Sequence, residues 1–258
     1  MIATARTAGR DGDAVIFVHG VGSTAAIWDE QLTALAQRYR CFAVELRGNG
    51  VASPEMPPRT ITRQGFGCDV LTIADAAGAQ RFHLVGCSLG GVVAFELCRS
   101  APERLASLTL LGSFAAYPNG TQYAESIVHA VLEAGTMERF ARERAANLGL
   151  PPGPRRDETI AQMACKSVTS YVAATRATWT GDYREELAGI GAPSLVLYGE
   201  RDAIAPRELS EEIASGIPRA SLAAIPQAGH VANADQPAIF NEMLDEFLQE
   251  NRILPGAA

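Results

Sequence analysis

The sequence predicts an α/β protein: a mostly parallel sheet with helices on both faces, and a helical cap inserted between two strands. Three observations carry this expectation. Short apolar segments alternate with stretches of helical spacing over most of the chain. One stretch, from Phe114 to about Glu186, holds helical patterns and no strand. The run Phe82-His83-Leu84-Val85-Gly86-Cys87-Ser88-Leu89-Gly90-Gly91-Val92-Val93-Ala94 reads as a buried strand, a sharp turn bearing one serine, and a helix.

Taken in order, Val15–Val18 is the first strong strand, and the roughly 13 residues before it leave room for one weak strand near Ile2–Thr7. Trp28–Gln37 is amphipathic, with Trp28, Leu32 and Leu35 on one face. Cys41–Val44 is a strand, Ile61–Ala77 has helical spacing despite Gly65 and Gly67, and Phe82–Val85 and Leu105–Leu111 are strands. Tyr123–Leu148 and Asp157–Thr180 read as two cap helices separated by Pro151-Pro152-Gly153-Pro154. Ser194–Tyr198 and Leu222–Ile225 complete the strands, and Pro206–Ser215 and Pro237–Gln249 the helices. The organisation is then core 1–113, cap 114–187, core 188–258.

The chain has 258 residues, 47% hydrophobic and 20% charged, enough for one sizeable core with an insertion. Its net charge is -7, with no long run of either sign, which argues against nucleic acid or an anionic membrane surface as partner. No apolar run approaches the roughly 20 residues of a membrane span, and Met1–Asp13 has no signal-peptide pattern. A cytoplasmic protein with a small-molecule substrate is expected. Lys166 is the only lysine, which leaves little room for lysine chemistry. Cys41, Cys68, Cys87, Cys98 and Cys165 show no metal-ligand spacing, and neither metal nor cofactor is expected.

The chemistry centres on Gly86-Cys87-Ser88-Leu89-Gly90. A serine on such a turn is held in a strained conformation with its hydroxyl exposed at the top of the sheet. It needs a base, and the base needs an orienting acid. Of His19, His83, His129 and His230, only His230 lies in a loop directly after the last strand, where an open α/β sheet presents its site. The acid candidate is Asp202, after the strand ending Leu197-Tyr198-Gly199, with Glu200 and Asp235 as rivals. Gly112-Ser113 offers no carboxylate after the preceding strand. His19-Gly20-Val21-Gly22 follows the first strong strand, and the amides of Val21 and Leu89 could converge on a carbonyl oxygen.

On these segments, in the order Ser…Asp…His, the chain resembles α/β-hydrolase fold enzymes over nearly its full length. Within that superfamily it looks most like lidded serine hydrolases similar to 3-oxoadipate enol-lactonase. The resemblance implies Ser88 as nucleophile, His230 as base, Asp202 as orienting acid, and Val21 and Leu89 as oxyanion donors. One departure is Glu45-Leu46-Arg47-Gly48-Asn49-Gly50, where the superfamily usually has D-x-R-G-x-G. Another is the short N-terminal segment, which leaves the first sheet strand in question and one sheet edge open to a homodimer contact.

The expected activity is hydrolysis of a small carboxylic ester or (enol-)lactone through an acyl-enzyme. Carbon–carbon hydrolysis of a diketone on the same triad, and slow turnover by a signal receptor of this fold, are the alternatives. In the cap, Trp179, Tyr117, Met137, Tyr171 and Phe140 are candidates for an apolar pocket wall or for cap core. Arg139, Arg142 or Arg176 could meet a substrate carboxylate or form a solvated helix face.

Overall fold

The structure, a computed structural model, describes residues 3–49, 56–147 and 152–253. Seven strands form one sheet among these residues: β1 (Thr4–Ala8), β2 (Ala14–Val18), β3 (Arg40–Glu45), β4 (Phe82–Cys87), β5 (Leu105–Leu111), β6 (Ser194–Gly199) and β7 (Ala220–Ile225). Their order is β1-β3-β2-β4-β5-β6-β7. Every pairing is parallel except β1 with β3. The N-terminal segment thus supplies one short edge strand. Arg6 on it forms a two-pronged ion pair with Asp29, and its charge and exposure blunt that edge.

The helices are α1 (Asp29–Leu35), α2 (Arg63–Ala76), α3 (Leu89–Ser100), α4 (Gly120–Ala134), α5 (Met137–Asn147), α6 (Pro154–Ala164), α7 (Val168–Trp179), α8 (Arg207–Gly216), α9 (Ala232–Asp235) and α10 (Pro237–Glu250). Side chains of a strand alternate between its two faces, and here both faces are apolar. Ile16, Val18, Leu84, Leu108 and Val196 pack under α2, α3 and α8. Val15, Phe17, Val85, Leu195 and Leu197 pack under α1 and α10. Trp28 locks that second layer, with ring centroids 5.2 Å from Phe17 and 6.0 Å from Phe240.

Between β5 and β6 the described residues form helices α4–α7, but each of the two long helices expected there is divided. The first stops at Gly135, whose φ of 73° ends α4 in the left-handed conformation. The second breaks at Cys165–Ser167, where the Ser167 hydroxyl accepts the Ser170 amide and starts α7. Leu148 and Pro151, at the expected junction, lie outside the described residues. The expected helix at 28–37 is likewise shorter, a 3-10 turn over Ala25–Trp28 leading into α1. The chain enters and leaves the α4–α7 segment side by side: Ala116 and Asp182 form an antiparallel bridge, and the Tyr183 amide donates to Ala115 O at 2.9 Å.

Two glycines separate backbone strain from steric clash. A Cβ on Gly135 would meet nothing within 4 Å but would have to sit at φ 73°, whereas Gly189 has the same open surroundings without the positive φ. Gly135→Ala is expected to destabilise by about 1 kcal/mol, and Gly189→Ala to be neutral or stabilising by up to about 1 kcal/mol. Urea unfolding of both variants checks this, and equal effects would refute it.

Candidate active site

Ser88 is the entire connection between β4 and α3. Its φ of 56° and ψ of -110° place a non-glycine residue where L side chains are rare. Such strain, of order 1–3 kcal/mol, persists only when the surroundings over-determine it. Here the Ser88 amide donates to Leu111 O at 2.9 Å and its carbonyl accepts from the Gly91 amide at 2.8 Å. A Cβ on Gly86 would overlap the backbone of Gly90, one on Gly90 would overlap Val18 O, and one on Gly91 would overlap the Ser113 side chain. The Leu89 amide opens α3, and neither it nor the Val21 amide donates to a protein acceptor among the described residues. Two free donors therefore lie near the serine, and a Cβ on Gly20, next to Val21, would sit 3.9 Å from Ser88 Oγ.

The histidine and the acid come from the next strands along. Asp202 follows β6, and its side chain is fully buried. One of its oxygens accepts the Ile204 and Ala205 amides at 2.8 and 2.9 Å, and the other accepts His230 Nδ1 at 2.8 Å. That bond fixes the proton on Nδ1 and leaves the Nε2 lone pair available. His230, after β7, keeps 17% of its side chain exposed. No hydrogen bond joins it to Ser88 among the described residues, and such contacts commonly tighten only around substrate. Gly112, at φ 50° after β5, comes so close that a Cβ would be 3.1 Å from both Asp202 Oδ2 and His230 Nδ1. Cys87 Sγ lies 3.9 Å from His230 O, and burial, reinforced by Asp202, pushes its thiol up to about 12, which disfavours the nucleophilic thiolate.

A strained serine, a carboxylate-bound histidine and two amides without a protein acceptor among the described residues thus lie at the carboxyl ends of the parallel strands. Residues 15–243 match the family described as Alpha/beta hydrolase family. The chain belongs to that family. It is 29% identical to the "Putative carbamate hydrolase RutD" of Azorhizobium caulinodans over 93% of this chain and 92% of that one. It is 27% identical to 3-oxoadipate enol-lactonase 1 of Acinetobacter baylyi, over 92% and 88% of the two chains. Among solved structures, a hydrolase from Pseudomonas aeruginosa PA01 superposes with a TM-score of 0.86 at 30% identity, covering 95% of this chain and 93% of that one. The resemblance to enol-lactonases is borne out, and the protein is an enzyme of hydrolase type.

The other candidates in this hydrolase have different surroundings. Glu200 accepts the Gln227 amide and Asp235 the Gly229 amide, so both rival acids hold the loops that carry Asp202 and His230. His83 is buried against Ser107 and Asp13 near the start of β4, and His129 is exposed beside Glu133 on α4. His19 is buried under the turn that bears Val21. Its Nδ1 donates to Gly20 O at 2.8 Å and its Nε2 accepts the Leu46 amide at 3.3 Å. Burial, with a contribution from the Lys166 charge, pushes its pKa down to about 3. Glu45 accepts the Ala25 amide at 2.7 Å, and burial raises its pKa. Arg47 clasps Asp69 of α2 with a guanidinium fork and its own amide, while Gly50 of the same loop lies outside the described residues. No three His, Cys, Asp or Glu side chains among the described residues converge as a metal site would need.

In the cap, Trp179 is buried and stacks on Phe114 at 5.0 Å, with Tyr117 and Tyr123 edge-on to it. The Tyr117 hydroxyl donates to Ile204 O at 3.0 Å, which seats this cluster on the loop holding Asp202. Met137, Phe140 and Tyr171 are buried within the cap, Phe140 and Tyr171 edge-on to each other. Arg139 is 66% exposed and paired with Glu143 on the outer face of α5, which is the solvated-face alternative of its sequence reading. Arg142 and Arg176 are similarly paired at the surface, with Glu138 and Glu125. The arginine on the inner face of α5 is Arg144, 3.4 Å from the Tyr123 hydroxyl. Helical spacing from Met137, Phe140 and Ala141 could have singled it out. Sequence reasoning also missed Met163, which with Tyr171 packs on Gly22 beside the Val21 turn.

The neutral His19 ring makes stability pH-dependent. Below its ordinary 6.5 the unfolded chain takes up a proton that the folded ring refuses until about pH 3. Stability from this source is complete above pH 6.5 and is lost as pH falls through that window, on the order of 5 kcal/mol in all. His19→Gln is expected to be less stable at pH 7 and to show a shallower loss between pH 6.5 and 4 in urea unfolding. An unchanged acid slope would refute the assignment.

Proposed function

We propose that this hydrolase cleaves a small carboxylic ester or enol-lactone through an acyl-enzyme. Ser88 is the nucleophile, His230 the general base and acid, Asp202 the orienting acid, and the Val21 and Leu89 amides the oxyanion donors. The observation that carries this reading is the hydrogen-bonded His230–Asp202 pair facing the strand end on which Ser88 is held in its strained turn.

Ser88 Oγ attacks the carbonyl carbon as its proton passes to His230 Nε2. The negative charge on the carbonyl oxygen is met by the two amides, each donor worth on the order of 3 kcal/mol in the transition state. The buried Asp202 carboxylate stabilises the imidazolium. Collapse breaks the acyl–oxygen bond, and His230 returns its proton to the leaving alkoxide or enolate. Water, deprotonated by His230, then attacks the acyl carbon and releases the acid and free Ser88. The same steps would open a carbamate, with the acyl carbon bearing nitrogen. The name carried by the Azorhizobium relative supports that as the second reading.

Ser88→Ala is expected to lower kcat by about 10^4-fold or more on the best substrate, and a fluorophosphonate is expected to label Ser88 in mass spectrometry. Asp202→Asn should cost on the order of 10^3- to 10^4-fold, whereas Asp235→Asn should stay within about tenfold. Turnover at the wild-type rate by Ser88→Ala would sink the mechanism. A panel of esters, enol-lactones and carbamates, each with and without a carboxylate, separates the two substrate readings.

A further inference from the structure

Lys166 is the only lysine of the chain, and it is 4% exposed. It lies in the short link between α6 and α7 and reaches down from the cap. Its Nζ donates to Ser23 O at 2.9 Å and to Asn49 O. Ser23 closes the turn that begins at Gly20: its amide donates to Gly20 O at 3.2 Å, and Val21 lies inside. The Ser23 hydroxyl donates to Gln162 Oε1 of α6 at 3.0 Å, a second tie from cap to turn. Asn49 belongs to the loop after β3, in which the Leu46 amide donates to His19. One ammonium therefore joins the cap to the two loops that flank the His19 ring.

Burying an ammonium costs several kcal/mol unless its protons and charge are compensated, and an apolar side chain of similar length would pack at less cost. The compensation present here is two carbonyls and, beyond ion-pair distance, the charge of Glu45, one carboxylate oxygen of which is buried without a hydrogen bond among the described residues. The site is built for a cation rather than for bulk.

We propose that Lys166 is a positioning residue of the reaction, its ammonium holding the Gly20–Ser23 turn so that the Val21 amide faces the developing oxyanion while the cap is closed. This rests on the reading of Ser88 as nucleophile and Val21 as oxyanion donor. A neutral amine donates weaker bonds and no longer balances Glu45. Burial pushes Lys166 down to about 8, so the charged form is lost within an ordinary assay range. The titratable groups facing it are Glu45 from β3, His19 after β2 and the adjoining Cys165. His19 is neutral throughout that range.

The test is kcat and KM of wild type, Lys166→Met and Cys165→Ser between pH 6.5 and 9.5, with the rate of fluorophosphonate labelling of Ser88 measured alongside. Wild-type kcat and labelling rate are expected to fall as pH rises through about 8. Lys166→Met should lose about 10- to 100-fold in both at pH 7, keep KM within about threefold, and lack the alkaline fall. Cys165→Ser should retain the fall. If Lys166→Met alone does not fold because it strands the Glu45 carboxylate, the double variant with Glu45→Gln carries the same expectations. A wild-type profile flat to pH 9.5 overturns the proposal. So does a lysine-free variant with wild-type kcat, or a fall abolished by Cys165→Ser. Failure of wild type to be labelled at Ser88 instead overturns the underlying nucleophile assignment.

Discussion

The rest of the site depends on how closely β4 and α3 pass each other. Ser88 can hold its positive φ only because no side chain separates Gly86 from Gly90, Gly90 from β2, or Gly91 from Ser113. Once that approach is made, the serine stands at the end of the sheet, the first amide of α3 is free, and neighbouring strand ends define where partners can come from. Gly112 extends the same constraint one strand further. By staying without a side chain it lets the Asp202–His230 pair close against the sheet.

The cap is tied to this framework at several places among the described residues. The aromatic cluster of Phe114, Tyr117, Tyr123 and Trp179 rests on the loop after Asp202. The Ala116–Asp182 bridge zips its entry and exit together. Gln162 and Lys166 clasp the Ser23 turn. Cap and core thus meet through the Asp202 loop at one side and the Gly20–Ser23 turn at the other.

Much of this was legible in the sequence because the signals are local. Strand periodicity, the glycine-spaced serine, and single polar residues placed directly after strands are written within a few residues of one another. The choice among Asp202, Glu200 and Asp235 was not local. All three follow strands or precede a helix, and only the packing of β6 beside β7 shows which carboxylate reaches the imidazole and which ones brace the loops. The cap was the least legible part. Gly135 ends a helix through its left-handed backbone and Ser167 starts one through its capping hydroxyl, neither of which hydrophobic spacing registers, so four helices read as two. Arg139 and Arg144 differ by five positions, enough to move from the wet face of α5 to the packed one. Lys166 stood out in the sequence only as the sole lysine, and its burial did not show there, because lysine is ordinarily a surface residue and its partners are carbonyls from two distant loops.

The two tryptophans happen to divide the molecule. Trp28 is sealed in the core beneath α1 and α10, and Trp179 in the aromatic cluster where the cap meets the Asp202 loop, and both indole N–H groups are buried without acceptors among the described residues. Each is an intrinsic fluorophore in dry, apolar surroundings, one reporting on the folded sheet and the other on the seating of the cap. Replacing either one with Phe would leave a single tryptophan emitter, so that solvent entry at the aromatic cluster and unfolding of the sheet could be followed in two separate variants.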